Sequence, residues 1–252
     1  MSILSNIKSA LLNATDTSPM IKFCCDVPGY EIGQPVRRAM DIKPDWLIEQ
    51  TKYAERNNSH KFAACPGMHD YYRTGYIISA WEDFEIIVDE QKADIVIGMG
   101  GGVACKQFER MDYSVVAGSA NIDDDIAPHA LKLPCPWKVF TKPGYSAFVM
   151  PALFHSPFLR DLFLYPGIND YDAYHTINVM FSPLRKLHVK IYAGTPLLHV
   201  IPYKREDITA DVGLITQKES GQANFTYRTR APGFYRKWLH KKKSTYINYK
   251  EN

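Results

Sequence analysis

Four groups of residues have side chains that could do chemistry. The first is the glycine run Ile97-Gly98-Met99-Gly100-Gly101-Gly102-Val103. A phosphate cradle needs GxxxxGK[ST], or GxGxxG opening a helix, so that backbone N–H groups converge on the anion. Here Lys106 follows Gly102 by four residues rather than one, and Val103 stands where the third Gly is required. The run therefore reads as a tight turn or bulge needing φ > 0. The second group is Cys65-Pro66-Gly67-Met68-His69-Asp70-Tyr71-Tyr72. His69 and Asp70 are adjacent, and neighbours on one chain rarely orient each other as an acid–base pair. A polar turn leading into a strand is the better reading. The third is the set His155, His175, His188 and His199, which contains no HxD or HxE pair and so does not signal a facial triad for iron. His188 and His199 alternate with apolar neighbours, as ordinary strand residues do. The fourth is Cys24, Cys25, Cys65, Cys105 and Cys135, without a CxxC pair and without His at metal-finger spacing. Reduced, buried thiols and no metal site are expected.

The elements that must position these residues follow from composition and pattern. The chain has 252 residues, 46% hydrophobic and 23% charged, which suits a globular protein with a sizeable core. Sixteen Tyr, 12 Phe and 16 Pro favour strands joined by tight turns. No apolar run is long enough to span a membrane, and the N-terminus lacks the basic region of a secretory signal. Membrane, fibrous and secreted disulfide-rich classes are thereby excluded. Short amphipathic helices are expected over residues 3–12 and from Pro44 to Ala54, the latter ended by Asn57-Asn58-Ser59. Strands are expected at Met20–Cys25, Gly75–Ile78, Phe84–Val88, Asp94–Ile97, Trp137–Thr141, Tyr145–Met150, Thr176–Phe181, Leu187–Ile191 and Leu197–Tyr203. Gly98 to Pro128 is less regular and holds Asp123-Asp124-Asp125, and Gln217–Ala223 reads as a polar loop. A last basic helix is expected at Gly233–Lys243. The sum is one mainly β (α+β) domain, an antiparallel barrel or sandwich with flanking helices. Its parts are an N-terminal α+β region (1–130), a core (131–206) and a basic C-terminal segment (207–252).

Charge is unevenly placed. From Phe234 to Asn252 six cations stand against Glu251, a net of +5, whereas the whole chain nets +3, so the remainder is −2. Phe234, Trp238, Leu239 and Tyr246 are interleaved with Arg236, Lys237, Lys241, Lys242 and Lys243. Large aromatics gain nothing in water, so they are expected to dock on a protein surface, with the lysines facing solvent or an acidic partner. The alternative is a nucleic-acid-binding arm.

Three blocks carry a family resemblance: Pro143-Gly144-Tyr145-Ser146-Ala147-Phe148-Val149, Tyr165-Pro166-Gly167-Ile168-Asn169-Asp170-Tyr171-Asp172-Ala173-Tyr174, and Gly194-Thr195-Pro196-Leu197-Leu198-His199-Val200-Ile201-Pro202. In order and spacing, residues 143–206 resemble the dUTPase and dCTP-deaminase superfamily. The resemblance implies a β-clip core, and places Asp170 or Asp172 where the family's hairpin Asp contacts deoxyribose and activates water. Tyr174 falls where its Tyr stacks under the sugar. The departures are specific. Met150-Pro151-Ala152-Leu153-Phe154-His155-Ser156 replaces the phosphate-binding block, with no Arg and one Ser; the hairpin has an extra residue; and His199 replaces a Gln. A triphosphate would lose most of its charge-assisted hydrogen bonds, leaving Lys142, Arg160 and Arg185, with Mg²⁺, as substitutes. The whole chain also resembles a family of bacterial and phage proteins of about this length, to which no activity is attached. Its marks are Cys65-Pro66, Gly75-Tyr76-Ile77-Ile78, Pro143-Gly144-Tyr145-Ser146, Gly194-Thr195-Pro196 and Ile201-Pro202-Tyr203-Lys204-Arg205-Glu206.

These patterns support two functional expectations. The first is an oligomeric assembly protein, a phage virion component in the cytoplasm or the particle, needing no cofactor. It would pair with itself, as β-clip trimers do, and with other virion proteins. The second is a nucleotide-binding or nucleotide-hydrolysing protein with Asp170 or Asp172 as base. Both expect Tyr165–His175 to be a protruding, partly polar turn.

Overall fold

Alternating apolar residues, cut at short intervals by Pro, Gly and Asn, produce an antiparallel β architecture. The computed structural model describes residues 20–29, 33, 35–57, 65–88, 93–97, 109–112, 129–156 and 160–228. The N-terminal 3–12 segment, the Gly98 run, Cys105, Asp123–Asp125 and the whole Phe234–Asn252 segment with Trp238 and Lys241–Lys243 lie outside these residues. The described strands are β1 (Ile21–Cys25), β2 (Arg37–Arg38), β3 (Tyr76–Ser79), β4 (Phe84–Val88), β5 (Ala93–Ile97), β6 (Glu109–Asp112), β7 (His129–Thr141), β8 (Tyr145–Pro151), β9 (Leu162–Leu164), β10 (Gly167–Asn169), β11 (Thr176–Pro183), β12 (Leu187–Ile191) and β13 (Pro196–Lys204). The helices are α1 (Asp45–Arg56), α2 (Pro66–Tyr71) and α3 (Gln217–Arg228). The fold is mainly β with helical additions, as expected. No helix among the described residues is long and apolar enough to cross a membrane.

One sheet runs β1-β7-β11-β9, with β6 also on β7; a second runs β10-β8-β13-β3-β2; a third runs β12-β4-β5. The inward residues of all three share one core: Trp137, Val139, Val179 and Phe181 from the first sheet, Ile78, Val149 and Val200 from the second, Phe84, Ile86 and Ile191 from the third. β1, β3 and β4, from the first half of the chain, pair with β7, β13 and β12 from the second, so both halves build the same layers.

The strands β2, β6, β9 and β10 have no counterpart in the sequence reading, and three further elements differ from it. β7 begins at His129, eight residues before Trp137, and runs through Pro134 and Pro136. Its pairing with β11 is irregular between Thr176 and Asn178, opposite this stretch, where the missing proline donors are tolerated. Cys65 to Tyr72 is not a turn: Pro66 opens the helix α2, where its fixed φ is an asset and its missing N–H is not needed. Gln217–Ala223 is not a loop but the start of α3. The Thr216 hydroxyl and N–H both donate to Glu219 Oε2 (2.7 and 3.1 Å), and the Glu219 N–H donates to Thr216 Oγ1 at 3.3 Å, a reciprocal cap. Of the thiols, Cys135 is buried and Cys24 and Cys25 are half-buried, but Cys65 is exposed at the helix start, contrary to the buried expectation.

Candidate functional site

Of the residues that the hairpin block singles out, Asp170 and Asp172 meet in a clamp rather than an open pocket, while the Tyr174 side chain stays outside it. The β7–β8 turn is closed by Gly144 at φ +82 and by the Tyr145 N–H donating to Lys142 O at 3.1 Å. The chain leaving β10 turns at Asp170, whose carbonyl accepts from the N–H groups of Ala173 and Tyr174 (3.0 and 2.9 Å). β13 ends beside this turn, and Arg205 continues from it with its N–H on Gly144 O at 2.8 Å.

The side chains lock the three segments together. Ser146 Oγ donates to Asp170 Oδ1 at 2.5 Å, and Arg205 reaches the same carboxylate at 3.0 Å. Asp172 accepts from the Gly144 N–H at 2.9 Å and from both terminal nitrogens of Arg205, a bidentate pair. The Arg205 guanidinium, followed by the Gly144 N–H, holds the Asp172 carboxyl down to about 2. The same contact raises Arg205. An Asp so engaged is a weak proton acceptor at neutral pH. Its side chain is 13% exposed and that of Asp170 is 58% exposed.

The expected protruding turn is therefore only partly one. Tyr171 is fully buried in the core and Asp172 is tied down, while Ile168, Asp170 and Tyr174 face solvent. Lys142 belongs to the clamp's own β7–β8 turn. Arg160 is exposed and Arg185 pairs with Asp161 at 2.5 Å, past the far end of β11. Eight residues at about 3.3 Å each separate that end from the clamp, so the structure does not bring these two arginines to Asp170.

The four histidines do not form one cluster. His175 stacks on Phe140 (4.2 Å) and His188 pairs with Glu85 at 2.5 Å. His155 and His199 meet in a second cluster with α2. His199 is 1% exposed; its Nε2 donates to Thr74 O at 2.5 Å and its ring lies edge-on to Tyr71 at 4.8 Å. Tyr72 contacts both His155 (5.6 Å) and Trp46 (6.2 Å), and its hydroxyl donates to Leu153 O at 3.0 Å. Burial, then the nearness of His199, lowers His155 to about 4; burial also lowers His199. Among the described residues no three His, Cys, Asp or Glu side chains converge as a metal site.

The segment after the clamp escaped sequence reasoning. Residues 206–215 form an arm without regular structure, exposed throughout. Ile208 and Val212 are 91% exposed, and Leu214 is fully so. The apolar residues Ile208, Ala210, Val212 and Leu214 alternate with Thr209, Asp211 and Gly213. That is the period of a half-buried strand, and it was the available signal. Arg205 carried no such signal, because its role depends on carboxylates more than thirty residues earlier.

No protein-family model matches this chain, and no curated protein is similar to it.

Proposed function

We propose that this chain is the subunit of an oligomeric structural assembly, held to its neighbours through the segment after β13. The setting suggested by family resemblance is a phage virion. The observation that carries the reading is the arm. Its alternating apolar residues have strand periodicity, yet none is buried against the described residues. Covering an Ile, Val or Leu side chain contributes about 1.5–3 kcal/mol, so Ile208, Val212 and Leu214 together offer about 5–9 kcal/mol before losses. Association itself costs about 4–15 kcal/mol, so the arm needs further contacts to hold two subunits. A backbone ladder supplies them. The clamp supports this role by fixing where the arm leaves the body.

Sedimentation velocity of the full chain against a chain ended after Glu206 tests the proposal. An oligomer that dissociates on truncation is the expected result, and a monomer at all concentrations overturns it. The second reading, nucleotide hydrolysis, rests on the grouping of Asp170, Asp172 and Tyr174 at one turn, with Lys142 on the neighbouring β7–β8 turn. Pyrophosphate release from dUTP or dCTP that disappears in Asp170→Asn or Asp172→Asn would favour it instead.

A further inference from the structure

We infer that the arm of one copy adds as a strand to the open edge of β1 in a second copy. The inference rests on the assembly reading above and names its interface. β1 pairs with β7 on one side, and no other described strand lies on its second side. Its residues alternate in two sets. Ile21, Phe23 and Cys25 turn inward: Ile21 is buried in the core, while Phe23 and Cys25 are half-buried against it. Phe23 lies against Tyr76 of β3 with ring centroids 5.1 Å apart, so this edge is where the space between two sheets meets the surface. Lys22 and Cys24 turn outward, opposite Phe140 and Lys138 of β7. With Asp26 they line an open groove of about 360 Å³.

The arm has the matching two-sided character. With Ile208, Ala210, Val212 and Leu214 turned inward, it extends the apolar row of Phe23 and Cys25 and closes the gap between the sheets. Thr209 and Asp211 then necessarily turn outward, because successive strand residues alternate. The outward surface they meet carries Lys22 and Lys138 against Asp26, which pairs with Lys138 at 2.8 Å, a net of one positive charge. On the outward set the arm carries Asp207 and Asp211, Glu206 being paired with Lys204 at 2.7 Å, and there is no cation between Arg205 and Lys218. The charges are therefore complementary, acidic arm to basic groove. No backbone hydrogen bond ties residues 206–215 to another described residue, so the arm's donors and acceptors suit a strand edge. The occupant is a second copy because residues 206–215 are exposed throughout in their own chain and pair with none of its described strands.

Two measurements on the full-length protein test this. In the first, ¹⁵N-labelled and unlabelled Thr209→Cys chains are mixed, treated with a short bismaleimide and mapped by mass spectrometry. Heavy–light links between the introduced thiol and Cys24 are expected. Links confined to single chains overturn the exchange and show the arm folding back on its own β1. An oligomer that needs the arm but yields no link to Cys24 overturns the β1 edge while leaving the assembly reading intact. The second uses charge. Lys22→Glu is expected to weaken oligomerisation about three- to tenfold, and Asp211→Lys in the same chain to restore it. Unchanged assembly in Lys22→Glu, or no rescue, overturns the inference.

Discussion

Acidification should destabilise this fold in a window set by the histidine cluster at α2. His155 titrates near 4 in the folded chain, against 6.5 for a free imidazole. The unfolded chain therefore takes up a proton first as pH falls. Above about pH 6.5 both states are neutral and the contribution is constant; between 6.5 and 4 stability drains away; below 4 both are charged and the loss levels off. The full gap corresponds to about 3 kcal/mol, and the partial exposure of His155 reduces this to about 2 kcal/mol. His199, more deeply buried and held by Thr74 O, acts in the same direction. For a chain of this size a loss of about 2 kcal/mol lowers the melting temperature by about 4–8 °C. Thermal unfolding by circular dichroism at fixed protein concentration, from pH 7.5 to 4.5, reads the effect. His155→Gln should be less stable at neutral pH and visibly flatter across the window. A wild-type melting temperature constant from pH 7 to 4.5, or an undiminished slope in His155→Gln, would refute the reasoning.

Other outcomes are expected. Gly75 has φ +80, and a Cβ there would lie 2.3 Å from Val200 O, so Gly75→Ala should lose at least about 3 kcal/mol in chemical denaturation. Gly144→Ala, at φ +82 with open space around it, should lose only about 1 kcal/mol, and equal losses would refute the steric account. Thr216→Ala removes the cap of α3 and should destabilise that helix by about 1 kcal/mol, read by amide exchange in α3. Asp172→Asn should loosen Arg205 and speed tryptic cleavage after it several-fold; an unchanged rate would mean the clamp does not restrain the arm. Because Asp172 is held near 2, the wild-type clamp should resist acid down to about pH 3, its contribution being lost only below the ordinary carboxylate range.

Much of the sheet framework was legible because period-2 burial leaves a local trace. Tyr145–Pro151, Leu187–Ile191 and Pro196–Lys204 stand within a residue or two of where their patterns put them. What was not legible depended on partners distant in sequence. Pro134 and Pro136 cannot donate to a ladder, and only the irregular register with β11, set by residues some forty positions later, accommodates them. His199 looked like an ordinary alternating residue, and its burial against Tyr71 and Thr74 comes from α2, itself hidden behind a turn-like Cys-Pro-Gly sequence. The Thr216–Glu219 cap was a local signal, present in the sequence and passed over because the helix behind it is polar. The site shows the same division. Asp170, Asp172 and Tyr174 could be picked out from their block, but that Arg205 ties the carboxylates to β8 could not be.

The clamp and the arm make most physical sense together. The Arg205 guanidinium is 39% exposed, so solvent screens its pairing and the effect on global stability is modest. Its geometric effect is larger: with the Gly144 N–H and Ser146 it fixes five groups from three segments, and hence the direction in which residue 206 leaves the sheet. Such precision would be wasted on a solvated tail. It matters if the next ten residues must meet a surface in register, because a one-residue slip would turn Ile208, Val212 and Leu214 to solvent and Asp211 to the core. Breaking the clamp without touching the arm therefore separates the two roles. In Arg205→Met the monomer should keep its melting temperature within about 2 °C, while oligomerisation should weaken more than in Lys22→Glu. Sedimentation and thermal unfolding of the same samples would show this, and a large loss of melting temperature with unchanged assembly would mean that the clamp serves the fold and not the arm.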